Sequence, residues 1–383
     1  MGKFTYLFLL LIMCSFVHDK EIGMENNIFT NAEALQGFYT KLVDIEKDTN
    51  CAVSIVHIGD SHIQADFFTG AVRQHLQGKF GNAGRGFVFP YKIANTGGAL
   101  DIRFRYTGAW QSCNIMSNAA SCNIGAAGFT LTASPNSSFT LDAISRTGGT
   151  AYFNKVTMLD NYGSFLPVGA IGNFNPQKLN EHTVIYFDEY QDSLVFKPTY
   201  ERNIMPELQG LILENGQKGI LYHAMGINGS STVQYLKSSG FENQIHDINA
   251  DLVILSFGTN DTYMPTSSFC ARCAKDRYGA IIDRIRTANP DLPILLTTPP
   301  DHYYLRRYSN KNLKTLIKAM YELCDEKNVA IWDLNAIMGG ANSIVTWRNN
   351  GWASGDLIHF TAAGYQKQGD MLYDAIMHHY QEQ

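Results

Sequence analysis

The sequence predicts an α/β protein with a parallel sheet, interrupted by an inserted β-sandwich module. Three observations predict this. Continuous apolar runs, "AVSIVHIGD", "DLVILSFG" and "LPILLTTPP", alternate with helix-like stretches near the start and in the second half. Such runs mark strands buried on both faces. Between them lies a turn-rich region with short alternating strands and few charges. The chain of 383 residues is 45% hydrophobic and 17% charged, a globular composition large enough for one big domain or two ordinary ones.

The elements follow in order. "NAEALQGFYTKLVDIEK", from Asn31 to Lys47, spaces its apolar residues as an amphipathic helix. "AVSIVHIGD" is then a strand, and "QADFFTGAVRQHLQGKFG" a helix ending near Gly81. From about Tyr91 the character changes. "GFTLTAS", "SFTLDAI", "AYFNKVTML", "HTVIYFDEY" and "SLVFKPT" read as short strands between turns, the pattern of a β sandwich. From Thr107 to Thr157 the charged residues are Asp142, Arg146 and Lys155, so serine, threonine and asparagine do the solvating. Near Gly219 the first pattern returns. "GILYHAMG", "DLVILSFG", "LPILLTTPP" and "VAIWDL" are strands. "RYGAIIDRIRTA", "NLKTLIKAMYELCDEKN" and "TAAGYQKQGDMLYDAIMHHY" are helices. The predicted division is therefore a discontinuous α/β domain at 21–90 and 216–383, with a β-rich insert at 91–215.

The first residues read differently. Lys3 precedes "YLFLLLIMCSFV", Tyr6 to Val17, which predicts a secretory signal peptide over 1–20 and an exported protein of the periplasm or cell envelope. Cys14 inside this run is a candidate lipid-attachment site, although Met13 before it is a poor match to the small residue such sites carry. Nothing later is apolar for long enough to span a bilayer. The net charge of −5 and the lack of a Lys/Arg cluster argue against nucleic-acid binding. Cys113 and Cys122 could close a short hairpin. "CARC", Cys270 to Cys273, has no second CxxC or close His pair to complete a zinc site, so a local disulfide or free thiols are expected and no metal.

Ligands of an open α/β sheet bind beyond the carboxyl ends of its strands. Those ends carry "GDSH" (Gly59 to His62), "GINGSS" (Gly226 to Ser231) and "GTND" (Gly258 to Asp261), with "GDLIHFTAAG" before the last helix. Their chemistry is complementary. Serine needs a base to act as a nucleophile, and His359 can serve Ser61 as one. Asp356, three residues before His359, can fix its tautomer. An oxyanion needs preorganised donors, which the Ser61 N–H, a glycine N–H and the Asn260 amide can supply. Gly229 is the candidate glycine, and Gly226 is the alternative. Trp352 is a candidate for lining the substrate pocket. Asp60 is read as bracing its turn, His62 as packing, and His57 and His223 as core.

These four blocks in this order resemble the GDSL/SGNH hydrolase superfamily. The resemblance implies an SGNH-type three-layer sandwich in which Ser61 is the nucleophile, Gly229 and Asn260 complete the oxyanion hole, and Asp356 and His359 are the acid and base. The G-x-S-x-G signal of α/β-hydrolases is absent. "GDSHIQADFFTGAVRQHL", "GNAGRGFVFP" and "LENGQKGILYHAMGINGSS" further resemble the peptidoglycan O-acetylesterase (Ape-type) branch. That implies an acetylesterase without cofactor, an O-acetylated glycan as partner, and an accessory module like a carbohydrate-binding domain. An O-acetyltransferase, an esterase for another polysaccharide and an inactive glycan-binding protein are the rival readings.

Overall fold

The computed structural model describes residues 27–47, 51–117, 122–145, 151–160, 163–179, 182–200 and 205–382. The expected signal peptide and Cys14 lie outside these residues. A six-stranded sheet forms the centre of the α/β part. Its parallel strands are Ala52–Gly59, Gly219–Gly226, Leu252–Ser256, Ile294–Thr297 and Ala330–Trp332, and Phe29–Thr30 adds an antiparallel edge. Counted along the chain, the parallel strands lie in the order 2-1-3-4-5. That order reverses between Ala52–Gly59 and Leu252–Ser256, so the crevice for a ligand opens where these two strands end.

Alternating side chains of the strands feed two cores. Val53, Ile55 and Ile254 pack with Leu42, Val72 and Leu372, from the helices Gln36–Glu46, Phe67–Phe80 and Ala362–Tyr380. Val56, Ile58 and Leu255 face the other way, toward Ile281 and Leu316 of the helices Ala271–Ile285 and Asn312–Lys327. Helices on both faces give the predicted three layers. The second core does not stop at the helices. It runs on without a break into Phe87, Phe129, Phe139 and Phe196 of the inserted module.

The module is two antiparallel sheets. The larger runs Phe174–Lys178, Thr183–Gln191, Phe153–Asp160, Glu207–Glu214, Phe129–Ala133, Trp110–Asn114. The smaller runs Ile102–Thr107, Ser138–Ala143, Ser193–Pro198, Phe165–Val168. Phenylalanines fill the space between them: Phe139 stacks on Phe196 at 5.0 Å, and Phe165 stacks on Trp110 at 5.9 Å. Trp110 and Phe104 are thus committed to the sandwich, while Tyr106 is exposed. Gly86–Val88 pairs with Glu207–Glu214, so residues read as α/β from sequence add a strand to the module's larger sheet. Cys113 pairs with Cys122, and Cys270 with Cys273.

A charge network joins the two parts. Asp66 is the N-cap residue of the helix Phe67–Phe80 and Arg73 stands midway along it, and Asp101 and Arg85 approach from the module side. Arg73 grips Asp66 with both terminal nitrogens, at 3.0 and 2.6 Å, and reaches Asp101 at 3.0 Å. Arg85 bridges Asp66 at 2.7 Å and Asp101 at 2.8 Å. All four side chains are at most 9% exposed. Burial would raise the Asp66 carboxyl, but the two guanidinium groups hold it below the carboxylate range. Two acids and two bases leave the buried cluster neutral, which is what makes its burial tolerable.

Candidate active site

The nucleophile candidate is placed by a tight strand-to-helix turn. Gly59 ends its strand so close to the Leu252–Ser256 strand that any Cβ would collide with the Ser256 carbonyl. Asp60 then caps the short helix Ser61–Gln64, accepting the His62 N–H at 3.0 Å. Ser61 is the first residue of this helix, so its own N–H has no intrahelical acceptor.

Ser61 Oγ lies 3.0 Å from His359 Nε2, and His359 Nδ1 lies 2.7 Å from Asp356 Oδ2. A carboxylate can only accept, so Nδ1 carries the proton and Nε2 is left to accept from the serine hydroxyl. The other carboxylate oxygen, Asp356 Oδ1, accepts the Ile358 and His359 N–H groups, each at 3.0 Å. Burial alone would raise the Asp356 carboxyl, yet hydrogen bonds from the His359 ring and these backbone groups bring it down to about 2. It therefore stays ionised and holds the imidazole in the useful tautomer. The His359 side chain is 41% exposed, so water reaches the centre of the array.

The two glycine candidates separate. A Cβ on Gly226 would run into the backbone of Gln64 and Asp60, so this glycine lets a strand press against the Ser61 helix. Gly229 sits in an exposed turn at φ +78°, where a Cβ would meet only Met116 Cε, at 3.5 Å. That turn is tied to the Ser61 helix, because Asn228 N–H donates to Gln64 Oε1 at 2.6 Å. Asn260 is brought to the same place. Its amide donates to Ser230 O at 2.8 Å and, more weakly, to Asp60 Oδ2 at 3.3 Å. The longer bond is the one an oxyanion could replace.

Trp352 is half-buried in the loop that leads to Asp356 and His359. Its ring lies at 5.5 Å from Trp347 and 4.6 Å beneath Lys367 Nζ, so it anchors the loop that carries Asp356 and His359. His62 packs as expected. Its Nδ1 bonds to Tyr365 OH at 2.9 Å, and burial, then His359 and His302, hold it well below the usual imidazole range. His57 is core, bonded to Tyr222 OH at 2.7 Å and Ser256 Oγ at 2.6 Å. Several supporting residues carry no signal of their own in the sequence. Gln64 joins the Ser61 helix to Thr96 and to the Gly229 turn, and Asp261 receives Thr232 N–H and Oγ1, bracing "GTND" against "GINGSS". Among the described residues, no group of three or more His, Cys, Asp or Glu is placed to hold a metal ion.

A model of the GDSL-like lipase/acylhydrolase family matches residues 198–367, which include Gly229, Asn260, Asp356 and His359 but not Ser61. Residues 198–367 thus resemble a GDSL-type acylhydrolase domain, which supports an esterase-class hydrolase. It is similar to a solved peptidoglycan O-acetylesterase, at 26% identity and a TM-score of 0.74, over 93% of this chain and 99% of that one. Smaller matches include a lipase/acylhydrolase from Enterococcus faecalis, at 20% identity and a TM-score of 0.33, over 43% of this chain and 77% of that one. An acetyl xylan esterase matches at 21% identity and a TM-score of 0.33, over 42% of this chain and 82% of that one. No curated protein matches the chain.

Proposed function

We propose that this protein is an exported serine acetylesterase that removes O-acetyl groups from a cell-envelope glycan, peptidoglycan in particular. The observation that carries the chemistry is the unbroken relay from Ser61 Oγ through His359 to Asp356, at 3.0 and 2.7 Å. In this reading Ser61 attacks the acetyl carbonyl as His359 Nε2 takes its proton. The N–H groups of Ser61 and Gly229 and the Asn260 amide hold the tetrahedral oxyanion. Collapse expels the sugar oxygen, which leaves with the proton from His359. Water, activated by the same imidazole, then releases acetate and restores the serine.

The substrate follows from the likeness to the peptidoglycan O-acetylesterase, which extends across nearly all of both chains, module included. Hydrolysis is preferred to acetyl transfer because the exposed His359 face leaves the acyl-enzyme open to water. Export is supported by the apolar run Tyr6 to Val17 and by two cysteine pairs, which persist in oxidising compartments. Residues 91–215 then serve as a glycan-facing module.

Acetate release decides the matter. O-acetylated peptidoglycan is compared with its de-O-acetylated form, with acetylated xylan and with an aryl acetate. Release from peptidoglycan, reduced by about 10⁴-fold or more in Ser61→Ala, is expected. Release only from xylan or the aryl ester would keep the serine chemistry and overturn the substrate. Mass analysis of the secreted chain, with cleavage near residue 20 expected, tests export.

A further inference from the structure

The hairpin of Tyr303–Tyr304 and Tyr308–Ser309 takes no part in the relay, yet it is rooted on both sides of it. Tyr303 N–H donates to Leu357 O at 2.8 Å, inside the Asp356–His359 loop. On the other side Asn310 Nδ2 donates to Thr262 O at 3.1 Å, and Leu305 N–H donates to Tyr263 OH at 3.2 Å, just past Asn260. The Tyr304 ring packs on Tyr263 at 5.2 Å. The hairpin is therefore a lip rooted between the segment that follows Asn260 and the loop that carries the base.

Its tip is unusual in two ways. Leu305 and Arg306 both have positive φ, +53° and +58°, in a turn closed by Arg307 N–H to Tyr304 O at 3.2 Å. Such turns are ordinarily built from Asn and Gly, and neither a leucine nor an arginine adopts this backbone without strain. The tip is also exposed: Leu305 is 53% and Tyr308 61% accessible, and Arg306 and Arg307 are exposed as well. Among the described residues neither arginine has an ion-pair partner. Two unpaired guanidinium groups on a hairpin rooted in the Asp356–His359 loop and at Tyr263, on a chain of net charge −5, concentrate anions at one spot.

We propose that the Leu305–Tyr308 tip is a subsite for a carboxylate-bearing unit of the glycan next to the acetylated sugar. Arg306 and Arg307 would grip the carboxylates, for which the planar guanidinium is matched. The open face of Tyr308 would stack on the sugar or its substituent. The acidic groups of peptidoglycan supply such carboxylates; xylan backbones do not. This inference rests on the reading of the Ser61 centre as a glycan esterase.

The test is direct binding, free of turnover. De-O-acetylated peptidoglycan fragments, and the same fragments with their carboxylates amidated, are titrated calorimetrically into the full protein. The acidic pool is expected to bind about fivefold to tenfold more tightly, a preference that fades as salt rises. In Arg306→Gln with Arg307→Gln the ratio between pools should fall to about one. Arg306→Lys with Arg307→Lys, which keeps the charge, should restore much of it, whereas a merely damaged turn would not be rescued. Equal binding of both pools by the native protein, no binding of either, or a preference that survives the double Gln variant would overturn the subsite. If the preference behaves as expected but no acetate leaves O-acetylated peptidoglycan, the substrate reading falls and the subsite stands.

Discussion

Around the parallel sheet the deepest positions hold His57, Asp60, His223, Asp301 and His302, each nearly or wholly sealed from solvent. At the same depth the β sandwich holds Phe139, Phe153, Phe165 and Phe196. Burial pushes His57 and His223 down to about 3 and His302 to about 4, and pushes Asp60 up to about 7 and Asp301 to about 6. In the module Asp160 is the comparable group, raised to about 7 by burial. Each buried polar group costs free energy unless it is bonded. The module core accepts that cost at fewer ionisable groups. The α/β part accepts it at more of them, Asp60 beside the strand end that carries Ser61 and His57 and His223 within the strands. The contrast teaches where chemistry is housed: among buried dipoles that hold side chains in fixed directions, not in the better hydrophobic core.

The comparison can be broken first at Asp356. Asp356→Asn should keep the fold but lose the tautomer control, lowering kcat on an aryl acetate by about 10³–10⁴-fold. An Asn variant with more than a tenth of native activity would remove the orienting carboxylate from the account. The opposite outcome is expected in the module. Phe139→Ala should cost about 3–5 kcal/mol of stability in urea unfolding, while the folded protein turns over the aryl ester within about twofold of native. A large loss of activity in folded Phe139→Ala would make the module part of the active site.

A finer test uses pH. Burial raises the folded pKa of Asp60, so from about 4 to about 7 the native state keeps a proton that the unfolded chain has lost. The contribution of Asp60 to stability therefore declines as pH rises through that window, and it is least favourable above 7. Asp60→Asn should remove this slope, gaining on the native protein as pH rises from 5 to 8. Parallel urea midpoints for the two proteins would show that Asp60 is not held protonated. The smallest effect is expected at the lip. Leu305→Asn suits the left-handed turn better and should add about 0.5–1 kcal/mol. A destabilised Leu305→Asn would mean that the leucine side chain is packing rather than strained.

Much of this architecture is legible in the sequence. The parallel strands are continuous apolar runs, and the helices end where Gly81 and Asn328 permit left-handed backbone. Five module strands show themselves through short alternating patterns. Ile102–Thr107, Trp110–Asn114, Phe165–Val168, Phe174–Lys178 and Glu207–Glu214 stand outside those five patterns. Phe174–Lys178 is an edge strand exposed along its whole length, and it includes Pro176, so no buried face marks it. The site divides in the same way. Ser61, Asn260, Asp356 and His359 stand in recognisable blocks, and the relay forms as their order suggests. Trp352 stands just before the last block, and its ring packs on Trp347 beneath Lys367 Nζ. Gln64, Asp261 and the lip act through partners far away in the chain. Local pattern carries no information about such pairings.

The neutral cluster of Asp66, Arg73, Arg85 and Asp101 has a consequence for how the protein can be divided. A chain trimmed of the module would lose Asp101 and leave Asp66 facing two guanidinium groups, with one positive charge in excess. Stranding one member of such a pair costs about 3–5 kcal/mol, a large part of what holds an ordinary domain together. With a hydrophobic core that also runs through both parts, heat should melt them together in a single transition. The insert then behaves less as a passenger on a hydrolase than as a wall without which the hydrolase cannot stand.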